Sequence, residues 1–238
     1  MPTVNSVLAE LKKVSDAQTK KTLVRHGAPE DKVLGVKVGA MKPMLKKLKG
    51  EQQLGLDLYD TGIRDAMYLS GLIVDGSKMN RRQLDAWVKK SGGLAGISES
   101  TVVWVAAEHP DAIAIAKKWM KSKNATIASA GWCLYSGCLS LYEDERLDLK
   151  EIAELMDQVV AEVHTAANRV RYQMNSFVIC VGSYVPPLLK KAKAAAKKLG
   201  AVEVDMGDTA CKTPLATAYI EKVEKMGRVG RKRKTLKC

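Results

Sequence analysis

AIAIAKKWM at residues 112–120 and IASAGWCLYSGCL at residues 127–139 are the two segments that decide the fold. Apolar residues recur at helical spacing in both, and the polar break Lys121-Ser122-Lys123-Asn124 separates them. Neither segment has much of a polar face, and residues 174–184 share that property. A helix that is apolar nearly all round has to be covered on several sides, so we predict that these helices are sandwiched between neighbours.

The same helical spacing continues along almost the whole chain. Short polar breaks, such as Asp75-Gly76-Ser77 and Tyr142-Glu143-Asp144-Glu145, divide it into about a dozen predicted helices. Consecutive helix pairs lie about 35–40 residues apart, and no pair can cover its own apolar face. This pattern indicates a stacked array of helical hairpins. An ordinary helical bundle is the alternative, because the repeats share little sequence identity.

The composition is that of a folded helical protein. Hydrophobic residues make up 46% and charged residues 27% of the 238 residues, which excludes wholesale disorder. The N-terminus lacks the apolar stretch of a signal peptide, and no run approaches the roughly 18 apolar residues that span a bilayer. Five cysteines without zinc-type spacing predict no metal site, and no cofactor motif is recognisable. We therefore predict a cytoplasmic protein without a membrane partner.

The chain shows no linker that would divide it, so we predict one domain over residues 1–226. An irregular loop is expected at 200–213, followed by a last helix at 214–226. Thr213 would be the N-cap of that helix and Pro214 its first-turn proline. A basic C-terminal tail, residues 227–238, would follow.

Positive charge is concentrated in that tail. The last eleven residues carry six Lys or Arg and no acid, on a chain whose net charge is +13. Such a distribution favours a polyanion partner, because each neutralised phosphate releases condensed counterions. We predict that the partner is nucleic acid; the alternatives are a solvated tail, an acidic protein or a membrane surface.

Several segments occur together in a characteristic order. They are Trp104-Val105-Ala106-Ala107-Glu108, Ala128-Ser129-Ala130-Gly131-Trp132, Val170-Arg171-Tyr172-Gln173-Met174-Asn175, the loop Asp205-Met206-Gly207-Asp208, and the ending Lys232-Arg233-Lys234. Over roughly residues 30–238 the chain thereby resembles the DNA alkylation repair family, which comprises HEAT-like-repeat alkylpurine DNA glycosylases and their relatives. The resemblance implies an all-α fold: a curved α-α superhelix of HEAT/ARM-like repeats, with duplex DNA on its concave face.

The resemblance also implies where a catalytic site would lie. The family's glycosylases use an Asp near the start of a central helix, flanked by Trp side chains and an Arg, to stabilise the developing positive charge. Aligned through Ser100-Thr101-Val102, the position of the Asp falls on Glu99; aligned through His109-Pro110, it falls on Ala95. Ser129 or a neighbour replaces the Arg, and the second Trp maps near Phe177. Glu99 has a second interpretation, as part of a capped helix start at Ser98-Glu99-Ser100.

Candidate DNA contacts come from tryptophans and from clusters of cations. Trp104 and Trp132 could stack on a base or sugar, although at helical spacing their rings are also suited to the core. The predicted phosphate contacts, which could equally be solvated surface, are Lys117, Lys118, Lys121, Lys123, Arg169, Arg171, Arg231, Lys232, Arg233 and Lys234.

Three hypotheses follow for the function. The first is a DNA-binding protein that recognises duplex, damaged or structured DNA through a basic concave face, without the usual catalytic residues and without an obligate protein partner. The second is an alkylpurine DNA glycosylase that uses Glu99 as its carboxylate. The third is a protein-interaction scaffold, which any repeat array can form.

Overall fold

The computed structural model describes residues 2–94 and 96–237, and those residues contain thirteen α-helices. The described residues form no strand; two of them, Ser15 and Val36, make one isolated antiparallel bridge. The prediction of an all-α fold is confirmed. Two compact units are present. The first comprises the described residues up to Pro110 together with Gly207–Ala210 and Lys237, and the second comprises Asp111–Met206 and Cys211–Leu236.

The first unit contains seven helices within its described residues. They are α1 (Val4–Lys13), α2 (Ala17–Arg25), α3 (Val38–Leu48), α4 (Gln52–Asp60), α5 (Arg64–Ile73), α6 (Arg81–Lys90) and α7 (Val102–Ala106). Short 3-10 turns occupy Glu30–Lys32 and Gly76–Lys78, and a π-helical turn, Ile97–Thr101, leads directly into α7.

The core of the first unit is built around α4 and α5. Gly55 permits their close approach, since a Cβ there would lie 2.5 Å from Cγ2 of Val74. The rings of Tyr59 and Trp87 stack with centroids 3.8 Å apart, and the Tyr59 hydroxyl donates a hydrogen bond to the Trp87 carbonyl. The fully buried Asp65 at the start of α5 accepts hydrogen bonds from the backbone of the loop before α3. That carboxylate therefore fixes the end of this loop, from Leu34 to Val36.

The second unit contains six helices and two 3-10 turns. The helices are α8 (Ala112–Met120), α9 (Ala125–Leu141), α10 (Leu149–Glu162), α11 (Asn168–Tyr184), α12 (Leu189–Leu199) and α13 (Ala216–Lys225). The turns are Asp144–Arg146 and Pro186–Leu188.

Helix α9 lies between α8 and α11, as its apolar sequence predicts. Gly131 brings α8 and α9 together, since a Cβ there would lie 2.4 Å from the Met120 backbone nitrogen. On the other side, the Trp132 and Phe177 rings meet edge to face with centroids 5.3 Å apart. The sandwich predicted for residues 127–139 is confirmed.

The last helix differs from the prediction at its start. It begins at Ala216, and its N-cap is Leu215 without a side-chain capping bond, so the cap assigned to Thr213 is wrong. The start is held from α11 instead, where the amide of the buried Asn175 donates a hydrogen bond to the Pro214 carbonyl at 2.9 Å. Residues 200–213 contain no helix, as expected for the loop.

Whether residues 1–226 form one domain stays a prediction. Each element of a repeat array contacts chiefly its neighbours, so compact units arise in such arrays without a linker between them. Within the described part of the chain, no helix has both the length and the apolarity that a membrane crossing requires. The same residues contain no cluster of side chains suited to a metal ion. A cytoplasmic location stays a prediction.

Candidate nucleic-acid interface

The turn between α8 and α9 carries four of the predicted phosphate contacts. Lys118, Lys121 and Lys123 are exposed there. Lys117 differs, because its ammonium forms an ion pair with Glu151, which also accepts a hydrogen bond from the Tyr135 hydroxyl at 2.7 Å. The turn therefore presents three cations at the surface, while the fourth ties α8 to α10.

The start of α11 carries the two predicted arginines. The Arg169 guanidinium lies over the Tyr172 ring, 4.7 Å from its centroid, in a cation–π contact. Arg171 approaches Asn168 at 3.5 Å, and its buried Nε has no hydrogen-bond partner within the described residues. Asn168 is itself fixed by a pair of bonds with the Asp205 backbone, one in each direction, at 2.7 and 2.8 Å. Both arginines are half-buried and are thus held in defined positions.

The part of the basic tail that ends at Leu236 is packed on the helices of the second unit. Within it, residues 228–236 (the C-terminal segment) make backbone bonds from Gly230 N–H to the Ser183 carbonyl and from Arg233 N–H to the Ser140 carbonyl. Lys232 donates to Asp144 and to two helix-end carbonyls, and Leu236 is buried. Arg231, Arg233 and Lys234 remain exposed.

Lys232 therefore has a structural position among the predicted DNA contacts. Its side chain is only 9% exposed, and its ammonium is occupied by Asp144, by the Leu139 carbonyl and by the Tyr184 carbonyl. Such a group anchors the C-terminal segment and has little capacity for a phosphate.

A groove of about 740 Å³ runs between α11, α13 and the C-terminal segment. Its lining, among the described residues, includes five cations and no carboxylate, so we call it the basic groove. Three tyrosines join these cations; Tyr219, 47% exposed, is the most accessible large ring. Burial raises the pKa of the Cys180 thiol in this groove to about 12, against the opposing charge of Arg233, so the thiol stays protonated at neutral pH.

Of the residues that line the basic groove, the sequence analysis singled out only Arg231, Lys232 and Arg233 as DNA contacts. Three of the others are spaced i, i+3 and i+7, which is a readable stripe on one helix face: Tyr219 and Lys222 on α13, and its C-cap Met226. The opposite wall is formed by α11 residues such as Tyr184. The sequence could not predict this wall, because it does not show which helix packs against α13.

The two tryptophans predicted as DNA contacts differ in their accessibility. Trp104 is half-buried, with its ring edge-on to Tyr68 at a centroid distance of 5.2 Å. Trp132 is 2% exposed and contacts Phe177 in the core. The Trp132 ring is therefore a core residue, and it is not available for stacking on DNA in this structure.

Glu99 lies in the π-helical turn before α7 and is half-buried. The capped helix start at residues 98–100 is wrong: the Ser98 and Ser100 hydroxyls donate to the carbonyls of Leu94 and Gly96, one turn earlier. The alternative position, Ala95, lies outside the described residues. Arg64 approaches the same turn, since a Cβ on Gly96 would lie 3.0 Å from its Nη2.

The two positions that replace the family's Arg and second Trp are buried. Ser129 is 1% exposed and Phe177 is fully buried. Neither places a charge or an aromatic face at the surface of the second unit.

Comparisons with known proteins agree with this architecture. A family model described as DNA alkylation repair enzyme matches residues 7–200. Two uncharacterised proteins, Lin0241 of Listeria innocua and Lmo0209 of Listeria monocytogenes, are each 32% identical over 233 residues, which cover 93% of this chain and 97% of theirs.

One solved structure aligns with all of this chain over all of its own length. The TM-score is 0.92 and the sequence identity 33%. It is described as representing a new family of proteins related to the HEAT-like repeat DNA glycosylases with affinity for branched DNA structures. The prediction of a HEAT-like repeat fold is confirmed.

Proposed function

Because the chain belongs to the DNA alkylation repair enzyme family, we propose that it is a DNA-binding member that recognises branched or damaged DNA without excising a base. The C-terminal segment carries this proposal. It is fixed to the second unit by Lys232 and by two backbone bonds, and it holds Arg231, Arg233 and Lys234 exposed. Cations that are already ordered lose little conformational freedom on binding, so counterion release from DNA phosphates contributes more fully to affinity.

Other cations of the second unit, three exposed lysines and the half-buried Arg169, support phosphate binding. Lys118, Lys121 and Lys123 surround one turn, and Arg169 is held over Tyr172. Contacts of this kind position a protein on DNA without reading its sequence, so we expect selection by DNA shape. The affinity of the structural relative for branched DNA agrees with that expectation.

The absence of base excision is supported by the positions that replace the family's Arg and second Trp. Ser129 and Phe177 are buried, and Trp132 packs in the core. The family's glycosylases, by the resemblance, stabilise the departing cationic base with a carboxylate, aromatic faces and a nearby Arg. The second unit brings none of Ser129, Phe177 and Trp132 to its surface.

The proposal is tested by DNA binding across a salt series. A labelled four-way junction, and a linear duplex of the same length, would be titrated with wild-type protein and with Arg231→Gln/Arg233→Gln/Lys234→Gln. We expect tighter binding to the junction and a linear fall of log affinity with log salt, with the slope reduced by about 0.9 for each duplex phosphate contact that is lost.

The matched control removes three positive charges from elsewhere. Lys12, Lys13 and Lys21 are exposed on α1 and α2, so changing them to Gln alters the net charge equally. An equal loss in both triple variants would contradict a specific role for the C-terminal segment. Undetectable DNA binding by the wild-type protein would instead favour a protein-interaction scaffold.

A second candidate function is alkylpurine excision with Glu99 as the carboxylate. One observation favours it: Glu99 is in a π-helical turn, a feature frequent at functional sites, and Arg64 approaches that turn. If this candidate is correct, the protein releases 7-methylguanine or 3-methyladenine from alkylated DNA, and Glu99→Gln abolishes the release. Alkylated DNA that stays intact with the wild-type protein would leave DNA binding as the function.

A further inference from the structure

The basic groove combines the two chemical features that bind an unpaired nucleic-acid strand. Lys222, Arg228, Arg231 and Arg233 are exposed along it, and Lys232 is engaged by Asp144. Three tyrosines line the same groove, and Tyr219 is the most exposed of them. Proteins that bind single strands pair a cationic path for the backbone with aromatic rings on which bases stack.

Two walls of the basic groove are helices that pack directly against each other. Helices α11 and α13 are in contact, since a Cβ on Gly182 would lie 2.7 Å from the Ile220 Cδ1 atom. The axes of packed helices lie about 8–10 Å apart. The basic groove therefore lies over the line where the two helices meet, with the C-terminal segment beside it. An unpaired strand offers its base faces to rings at such a site, whereas the bases of a duplex stay stacked on one another.

The size and polar lining of the groove are those of a ligand site. Its volume of about 740 Å³ falls within the range of about 300–1,000 Å³ that is usual for sites enclosing a ligand. The hydroxyl of Ser183, a lining residue that is 5% exposed, has no hydrogen-bond partner within the described residues. A bound base or phosphate could supply that partner.

We propose that the basic groove binds an unpaired DNA strand, with its phosphates on Lys222 and Arg228 and a base stacked on Tyr219. This inference rests on the proposed DNA binding and deepens it: paired arms contact the exposed cations of the second unit, and the unpaired strand at a branch point enters the groove. Branched DNA that exposes an unpaired strand, such as a fork, is then preferred over a linear duplex, which has no unpaired strand to place in the groove.

The test uses the full-length protein and two probes. One is a forked duplex with unpaired oligo-dT arms that contain 2-aminopurine, and the other is a blunt duplex with the same paired sequence. Tyr219→Ala is expected to weaken binding to the fork about tenfold, since one base-stacking contact is removed, and to change blunt-duplex binding less than about twofold. Quenching of 2-aminopurine on binding should be lost as well.

Two matched controls come from α13 and its N-cap, Leu215. Leu215 precedes α13 and is 47% exposed, as Tyr219 is, but it does not line the groove, so Leu215→Ala should bind the fork normally. Lys222→Gln should lower the salt slope for the fork by about 0.7, the value for one single-strand phosphate. Lys225→Gln removes the same charge from an exposed position outside the groove and should leave that slope unchanged.

The outcomes separate this inference from the proposed function. If Tyr219→Ala weakens fork and blunt duplex equally, or neither, the groove assignment is overturned and DNA binding stands. A competition experiment gives a second outcome. If poly-glutamate displaces the fork equally from wild type and from the groove variants, while oligo-dT does not displace it from wild type, the groove does not bind a DNA strand and the inference fails. Wild-type protein that binds neither probe would overturn the proposed function itself.

Discussion

Lys232 and Asp144 form an ion pair in which the ammonium nitrogen lies 2.9 Å from a carboxylate oxygen and the lysine side chain is only 9% exposed. The same ammonium donates to the carbonyls of Leu139 and Tyr184, near the C-terminal ends of α9 and α11. Helix C-termini carry unpaired carbonyls and a partial negative charge, so one lysine satisfies several acceptors. This residue anchors the C-terminal segment.

Replacing that lysine should destabilise the second unit. Lys232→Met leaves Asp144 and two carbonyls without their donor, and we expect a loss of about 2 kcal/mol in the free energy of unfolding. Urea denaturation measures this directly. The adjacent Lys234→Met is the control, because Lys234 is exposed and should cost less than about 0.5 kcal/mol. Equal stability of the two variants would refute the anchoring role.

A glycine in the C-terminal segment provides an independent test of its packing. Gly230 has φ +80°, and a Cβ there would lie 2.7 Å from Cγ of Pro186. Gly230→Ala therefore adds a clash with a rigid ring to the cost of about 1–2 kcal/mol for a left-handed alanine. Gly227→Ala incurs only the conformational cost, because Gly227 has φ +61° and no neighbour within 4 Å.

Limited trypsin digestion distinguishes the two alanine variants. Arg231 and Arg233 are cleavage sites that the packed C-terminal segment should protect in the folded protein. Cleavage there should be faster in Gly230→Ala than in Gly227→Ala. Identical cleavage rates would show that Pro186 does not hold the segment in place.

The buried carboxylate of Asp65 should be among the most sensitive positions in the first unit. It accepts hydrogen bonds of 2.7 Å from the N–H groups of both Leu34 and Val36. Asp65→Ala leaves these donors unpaired, and we expect a loss of about 3 kcal/mol or more in unfolding free energy. Asp60→Ala is the control: its pair with Lys90 is exposed and should contribute less than about 1 kcal/mol. Similar losses in both variants would contradict this account.

The sequence was sufficient to predict elements whose signal is local. The apolar residues 127–139 predicted a helix covered on two sides, and α9 lies between α8 and α11. Periodicity alone specifies such a helix because its hydrophobic surface has to be removed from water wherever its neighbours come from. The all-α class follows from the same pattern.

Contacts between distant segments could not be predicted in this way. The anchoring of Lys232 depends on the backbone carbonyls of Leu139 and Tyr184, and a carbonyl has no sequence signature. Trp132 has the same helical spacing whether its ring faces DNA or Phe177, so only the packing decides its role. The wall of the basic groove on α13 was readable as a stripe in the sequence, but the opposite wall on α11 was not.

A pH-dependent contribution is expected from Asp16, the N-cap of α2. Its carboxylate accepts from Lys37 at 2.7 Å and from the Thr19 N–H at 2.8 Å, and these contacts lower its pKa from 3.8 to about 2. Since the pKa is depressed in the folded state, this stabilisation is complete above pH 3.8 and is lost as the pH falls through about 2.

The Asp16 titration can be followed by carboxyl-carbon NMR with the Lys37→Met variant as the comparison. Removing the ammonium eliminates the largest contribution to the shift, so the pKa of Asp16 should rise toward 3.8 while the Thr19 hydrogen bond keeps it somewhat lower. Asp16→Asn should retain the cap, because Asn is an equally good N-cap residue, but should abolish the acid-dependent loss. An Asp16 pKa that is unchanged in Lys37→Met would mean that the cap bond alone, and not the ion pair, holds this carboxylate ionised.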